Sequence, residues 1–542
     1  MLACKNNAVI NRKPAPDVDL NITIEKSEGV SYYLDTVHVV EFLKDYAIHK
    51  NYQNDLELFY KKRNYEFAWM NSAGLNEYSS SFINLLNQER NLSKQDSTLY
   101  YNRLPNLYHF FLDPNQSFSN KDSLLMELEL LLTINFFDYA KRNWKGGSDE
   151  NLKQVRWFIA RKKMNYETLL DTILTHDPHK FSSFEPVYRQ YGLLKNYLLK
   201  YRAIEESGGW KTWTDKVISL KKGDSSDFVL SAKNQLYLLG DLSKKDTSYI
   251  FDSPLEDAVK KFQKRHGLSQ DGIITGKTRL ALSVPLRTQI EQLLINMERG
   301  RWVPLEPEGD YLVVNIPDFK LYVYTDDSIA WTCNVIVGSS SLRSNTVIFN
   351  DNIEYIVFSP YWNIPEHIII KETLPAIKKN PNYLIKHDME VVNMSGKVIP
   401  ISSINWQSYT NHFPYIIRQK PGRDNALGQV KFLFPNSYDI YMHDTPVKSL
   451  FGESSRMFSH GCIRLEDPYK LAQFLLRDDA KWSDRRIKAS MSDEQQLFVR
   501  LKKKVPVFIA YFTSWVDRNG ELNFREDVYH HDEEMRKLLI IN

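Results

Sequence analysis

The segment Ser459-His460-Gly461-Cys462-Ile463-Arg464 and the histidine of Tyr441-Met442-His443-Asp444-Thr445-Pro446 constrain this chain most, because their chemistry works only if the fold sets them side by side. A cysteine nucleophile needs a base to make its thiolate and N–H donors for the oxyanion it creates. His443 is the candidate base, since a neutral imidazole near pH 7 can take the thiol proton. Gly461 lets the backbone turn tightly and approach a substrate carbonyl. The amides of His460, Gly461 and Cys462 are therefore expected to point at one oxygen. Tyr441, on the same strand as His443 and two positions before it, is expected to face the same way.

Two blander readings compete. Most cysteines are small buried hydrophobes, but Cys462 sits among Ser, His, Gly and Arg rather than in an apolar run, which favours a reactive role. His443, His460 and Cys462 are also ligand types for zinc. No Cys-x-x-Cys or His-x-x-x-His pair accompanies them and no fourth ligand is evident, so neither a metal nor a cofactor is expected.

The order of His443 followed by Ser459 to Arg464 resembles the signature of the L,D-transpeptidase (YkuD-type) catalytic domain. The flanks agree: Tyr438 to Pro446 reads as the strand that delivers the histidine, and Asp424-Asn425-Ala426-Leu427-Gly428-Gln429-Val430-Lys431-Phe432 resembles the family's glycine-centred upstream segment. The resemblance implies Cys462 as nucleophile and His443 as general base and acid, oriented by the backbone carbonyl of Asp444. Ser459 and His460 are expected to shape the cysteine loop, and Arg464 either to fix that loop or to bind a substrate carboxylate. Trp362, in Ser359-Pro360-Tyr361-Trp362-Asn363-Ile364-Pro365, is either a substrate-facing aromatic or a packed loop residue.

At 542 residues the chain is too long for one ordinary core, and several domains are expected. A net charge of +3 gives no general case for nucleic acid. Cys4, Cys333 and Cys462 imply no disulfide framework, and Cys333, within a strand pattern, is expected to pack. No apolar run is long enough for a transmembrane helix. Leu2-Ala3-Cys4 before Lys5-Asn6-Asn7 resembles the end of a bacterial lipoprotein signal; either Cys4 carries a lipid anchor or it is incidental. Residues 1–28 read as a tether or signal remnant, with Pro14 and Pro16 among polar residues.

Helical patterning covers 29–220, with Val39, Val40, Phe42, Leu43 and Tyr46 near one face, an apolar block from Leu124 to Leu132, and a third at 168–174. Leu58 to Trp69 resembles the opening of the scaffold region in larger, YcbB-type L,D-transpeptidases. Residues 224–285 form a separate module. Leu255, Val259 and Phe262 stripe one helix, Gly267 ends it, Asp271-Gly272 turns, and Thr275 can cap the next helix. Together with Leu236 to Gly240 and Gly267 to Thr278, this resembles a three-helix peptidoglycan-binding domain; a simple spacer is the alternative. A bundle this small is expected to lean on its neighbours.

From 286 to 520 the pattern turns to short β-branched and aromatic strands, led in by Asn296 to Pro304. The rhythm breaks at about 366–412, where YcbB-type proteins insert a capping subdomain that would exclude water from the cleft. Residues 521–542 read as a partly mobile tail whose His530-His531 pair is solvated. The expected fold is α+β: a helical scaffold, a three-helix peptidoglycan-binding module and a mostly-β catalytic domain with a capping insertion.

The resemblance implies a periplasmic enzyme of the bacterial cell envelope that acts on peptidoglycan stem peptides and glycan. It would release D-Ala through a cysteine thioester, crosslink the third residues of two stems, and be open to carbapenems. L,D-carboxypeptidase activity, attachment of a protein to peptidoglycan, and a non-catalytic wall-binding scaffold are the rivals.

Overall fold

The computed structural model describes residues 31–539 apart from 36–38, 40–41, 44–51, 72–73, 94–99, 114–120, 147–151, 154, 160–164, 179–186, 209, 211–218, 305–306 and 342–343. The tether with Cys4, and Val40 and Tyr46 of the first apolar stripe, lie outside the described residues. Val39, Phe42 and Leu43 are buried. The chain divides into two units, 1–140 with 164–185, and 141–163 with 186–542.

The first unit is built on the helix Lys121–Ala140. Leu128, Leu130 to Leu132, Ile134, Phe136 and Phe137 are all buried along it, so it is apolar all round, as a helix at the centre of a bundle must be. Helices Gln53–Lys62, Glu77–Ser93, Tyr100–Leu112 and Tyr166–Leu174 belong to the same unit. Asn165 caps the last of these by accepting from Thr168 N–H at 3.0 Å. The Glu129 carboxylate is fully buried: it accepts from the amides of Ala68 and Trp69 and from Tyr60 Oη, and burial pushes its carboxyl up to about 7.

The second unit holds the rest, including part of the region expected to be scaffold. Residues Trp157–Phe158 add a parallel strand beside Ile348–Phe349, and Trp157 packs edge-on against Trp302 at 5.5 Å. Tyr191, on the helix Gln190–Glu206, is buried beneath the Arg301 guanidinium, 4.9 Å from its ring centroid. The 29–220 region is thus not one body, because these aromatic residues find their partners in the catalytic unit.

The three-helix module comprises Asp227–Leu239, Ser253–Arg265 and Gly276–Leu282. Ser226 and Asp252 cap the first two, whereas Thr275 occupies the third cap position without a side-chain capping bond. Gln263 explains the motif around Asp271-Gly272. Its buried amide donates to Asp271, Ile273 O and Thr278 and accepts from Gly272 N–H, clasping the turn. The module leans on the hairpin Ser514–Val516 and Leu522–Phe524, as a small core requires: His266 stacks between Phe262 and Phe524 at 3.8 and 5.4 Å.

The catalytic region is a sheet in the order 430–433, 442–443, 463–465, 328–338, 320–325, 311–315, 497–510, 348–358 and 157–158. Because Val430–Leu433 also pairs with Ile348–Phe358, the sheet closes on itself. The insertion has its own core, with Ile369, Leu374, Leu384 and Ile417 among its members. Its four-stranded sheet runs 398–399, 389–392, 416–419 and 362–363. It therefore starts earlier and ends later than 366–412, since the strands at 362–363 and 416–419 pair within it.

The C-terminal segment is packed rather than loose. After the 514–524 hairpin, Tyr529 and Met535 join the main core, and the helix His531–Leu539 buries His531. Asp532 meets Arg299 at 2.5 Å in a pair exposed by only 8% and 1%. Removing the carboxylate leaves a buried guanidinium uncompensated. Asp532→Ala is expected to destabilise the unit by about 3–5 kcal/mol, read as a lower midpoint in urea unfolding; an unchanged midpoint would mean that the pair carries no such weight.

Candidate active site

Three neighbouring strands set the site. Lys431 lies opposite His443 in an antiparallel pair, and His443 beside Arg464 in a parallel one. Residues so paired project from the same face, so Lys431, His443 and Arg464 stand in a row with the imidazole between two cations. On the other face Phe432, Met442 and Ile463 are completely buried. The strand that delivers His443 is shorter than expected, Met442–His443 alone, because Asp439 turns the chain with a left-handed φ of 55°.

His443 is buried, and its Nδ1 donates to the Asp444 carbonyl at 2.5 Å, the orientation expected for it. Burial pushes the ring down to about 3; the cations Arg464 and Lys431 push the same way, against the carbonyls of Asp444 and Leu427. The ring is therefore neutral near pH 7. The Asp444 carboxylate accepts from Gln429 N–H at 2.9 Å and from Lys448 at 2.7 Å. Gly428 must be glycine here: its φ is 60°, and a Cβ would sit 2.3 Å from that carboxylate.

Cys462 is half-buried. Its thiol points to the Asp439 carbonyl at 3.6 Å and interacts with the Tyr441 hydroxyl. Burial pushes the thiol up to about 11, although Tyr441 and Arg464 pull it down. Tyr441 thus faces the site as expected, its ring 5.6 Å from that of His443. Cys333 is buried in its strand with its thiol pushed up to about 12, in keeping with packing.

The cysteine loop is held by hydroxyls. Ser459 Oγ donates to the Cys462 carbonyl at 2.5 Å and accepts from Gly461 N–H at 3.1 Å. Ser459 therefore shapes the loop, and the Gly461 amide is occupied. The Gly461 amide is therefore not open to an oxyanion, which removes it from the three amides expected to point at one oxygen. Gly461 itself has a φ of 117°, which explains the glycine. Thr346 Oγ1 donates to the Gly461 carbonyl at 2.8 Å and accepts from Gly338 N–H at 2.9 Å. Tyr529 Oη donates to the Gly338 carbonyl at 2.6 Å, tying the C-terminal segment to the same loop. His460 Nε2 meets Glu372 of the insertion at 3.0 Å.

Two expected residues differ in place. Trp362 pairs with Gln419 and packs partly buried against the core of the insertion, which favours the packing reading. Arg464 makes no hydrogen bond to the cysteine loop among the described residues, and its buried Nε has no partner. Sequence reasoning gave no role to Lys431, Thr346, Tyr529 or Glu372. Lys431 left one signal, a lysine between buried Val430 and Phe432 on a strand; the others act through pairings remote in sequence.

Known proteins resemble parts of this chain. A family model described as YkuD, L,D-transpeptidase catalytic domain, matches residues 309–509. A scaffold domain model matches 54–198, and one described as "Putative peptidoglycan binding domain" matches 225–282. A relative from Haemophilus influenzae, described as "Putative L,D-transpeptidase", is 36% identical over 245 residues, 45% of this chain and 49% of the relative. The chain thus matches about half the length of that relative. A solved L,D-transpeptidase from Xylanimonas cellulosilytica is 14% identical, covering 55% of this chain and 100% of its own, with a TM-score of 0.17. One from Stackebrandtia nassauensis is 13% identical, covering 55% and 97%, with a TM-score of 0.21. The chain thus contains, in order, segments that match a scaffold domain, a peptidoglycan-binding domain and the YkuD L,D-transpeptidase catalytic domain.

Proposed function

We propose that this protein is a peptidoglycan L,D-transpeptidase with Cys462 as nucleophile and His443 as base. The observation that carries the reading is the parallel pairing of Met442–His443 with the strand that begins directly after Cys462, with Tyr441 touching both the thiol and the imidazole ring. The thiol is half-buried, and the imidazole is buried, neutral and fixed at one nitrogen by a backbone carbonyl. In the first half-reaction the thiol sulfur attacks the carbonyl of the bond joining the L-centre of the third stem residue to D-Ala. His443 takes the thiol proton, and the amides of His460 and Cys462 receive the oxyanion. The C–N bond then breaks, His443 protonates the leaving amine, and D-Ala departs from a thioester. In the second half-reaction an amine on the third residue of another stem attacks the thioester, a new amide forms, and the thiol is restored.

The insertion supports transfer over hydrolysis, because its Glu372 reaches the cysteine loop through His460 and a cover at that place excludes water. The peptidoglycan-binding module fits a wall-bound substrate and a place in the cell envelope. No helix among the described residues is long and apolar enough to cross a membrane. A periplasmic site and a lipid on Cys4 belong to this proposal.

The reaction is tested with purified disaccharide-tetrapeptide and mass spectrometry of the products. Dimers lacking one D-Ala support transfer; tripeptides alone support carboxypeptidase activity. Cys462→Ala is expected to abolish both products. His443→Ala should lose most activity, and the double variant should be little worse than either, since the two act as a unit. Near wild-type turnover in Cys462→Ala would sink the mechanism.

The pH dependence of the thiol separates two resting states. With His443 depressed to about 3 and Cys462 raised to about 11, the resting pair near pH 7 is thiol and neutral imidazole. Alkylation of Cys462 by iodoacetamide should therefore keep rising from pH 7 to pH 10 as the thiolate fraction grows. A rate already level below pH 7 would instead show a preformed thiolate–imidazolium pair.

A further inference from the structure

Every polar group of Asp444, the residue that follows the base, is committed. Its N–H donates to the Val430 carbonyl at 2.9 Å, and its carbonyl accepts from His443 Nδ1 at 2.5 Å. Its carboxylate accepts from Gln429 N–H at 2.9 Å and from the Lys448 ammonium at 2.7 Å. The chain then turns back at once: Thr445 Oγ1 accepts from Val447 N–H at 3.3 Å, and Lys448 N–H donates to the Pro446 carbonyl at 3.1 Å. That turn returns the ammonium to Asp444, and the same ammonium donates to the carbonyls of Glu466 and Leu465 at 3.1 and 3.4 Å. An ammonium has three protons, and here all three have acceptors. Glu466 is fixed in its turn, its N–H on the Asn334 carbonyl and its carboxylate on Asn334 N–H, both at 3.1 Å. The parallel pairing of Met442–His443 with the strand after Cys462 ends at His443. Lys448 carries the connection one step further, from the residue after the base to the end of the strand after the nucleophile.

Stability alone gives little reason for this arrangement. The side chains are exposed by 47% at Lys448 and 9% at Asp444, and an ion pair so open to water contributes little. Three acceptors at fixed places supply direction instead. The imidazole can take the thiol proton at Nε2 only while Nδ1 keeps its own, and the Asp444 carbonyl decides that. We propose that Lys448 is a positioning residue for the base: its ammonium ties the Asp444 carboxylate to the carbonyls of Leu465 and Glu466, and so keeps the Asp444 carbonyl on His443 Nδ1. The proposal rests on His443 acting as base in the proposed function and adds to it a residue that touches neither substrate nor thiol. The clamp moves no proton itself. It sets the tautomer in which Nε2 accepts the thiol proton and later returns it to the leaving amine.

The test compares the wild type with Lys448→Met, Asp444→Asn and the double variant, each as the full chain. Release of the terminal residue from a stem tetrapeptide gives kcat and KM. A 15N–1H spectrum of histidine-labelled protein gives the tautomer of His443, with His443→Gln assigning its signals. The wild type should show a protonated Nδ1 and a bare Nε2 near pH 7. Lys448→Met should mix the two tautomers and lower kcat by roughly 10- to 100-fold, the scale of a small misplacement of a reacting group, with KM within about twofold. Asp444→Asn should do likewise, and the double variant should be no worse than the worse single one, because the two act through one contact. The urea midpoint of Lys448→Met should move little, as for any half-exposed pair. Wild-type kcat with one Nδ1-protonated tautomer in Lys448→Met overturns the clamp. A fall in kcat with that tautomer unchanged overturns it too, since Lys448 would then serve the fold or the substrate. Losses that add in the double variant place the effect outside Asp444 and overturn it as well. A wild type that releases nothing from the tetrapeptide overturns the proposed function, while the spectra still decide whether Lys448 sets the tautomer.

Discussion

The alignment of the strands 430–433, 442–443 and 463–465 is the constraint on which the rest of the site depends. Phe432, Met442 and Ile463 are buried in the core, and their paired register fixes Lys431, His443 and Arg464 on the opposite face. A slip of one residue would exchange the two faces, placing a histidine among aliphatic side chains and a methionine on the face of the site. Closure of the sheet through the pairing of 430–433 with 348–358 removes the freedom to slip. The electrostatics follow from this packing. Burial and two neighbouring cations keep the imidazole neutral, and the same cations offset part of the penalty that burial places on a thiolate.

The second support is a chain of hydroxyls that runs from the C-terminal segment to the nucleophile. Asp527 accepts from Tyr511 Oη at 2.6 Å, and that hydroxyl accepts from Tyr529 N–H at 2.8 Å. Tyr529 reaches Gly338, Gly338 reaches Thr346, and Thr346 holds the Gly461 carbonyl. Each bond is modest in net terms, but together they leave few polar groups in the loop unsatisfied and fix a glycine that has no side chain to pack. The segment beyond the matched catalytic domain thus helps position the cysteine.

The candidate site residues were legible because their types are conspicuous: a cysteine directly after a glycine and two positions before an arginine, and a histidine on a strand before Asp-Thr-Pro. The apolar stripes of the helical module and the strands near 311, 320 and 328 were legible for a related reason, since burial imposes a period on the sequence. What escaped was relational. Lys431 acquires meaning only from the register that sets it opposite His443. Thr346 and Tyr529 matter through partners remote along the chain. The insertion's limits were misread because its two-residue strand at 362–363 is too short to show a pattern. The C-terminal segment looked loose because the charge that buries Asp532 belongs to Arg299, far upstream.

The central claim is that Cys462 alone among the cysteines is an activated nucleophile, and acylation tests it most directly. A β-lactam presents a strained amide whose carbonyl a thiolate can open, breaking the ring C–N bond and forming a thioester. Intact-mass analysis after incubation with a carbapenem should show one adduct per chain, and peptide mapping should place it on Cys462, with Cys333 unlabelled in its buried strand. No adduct, or an adduct carried by Cys333 or Cys4, would contradict the account.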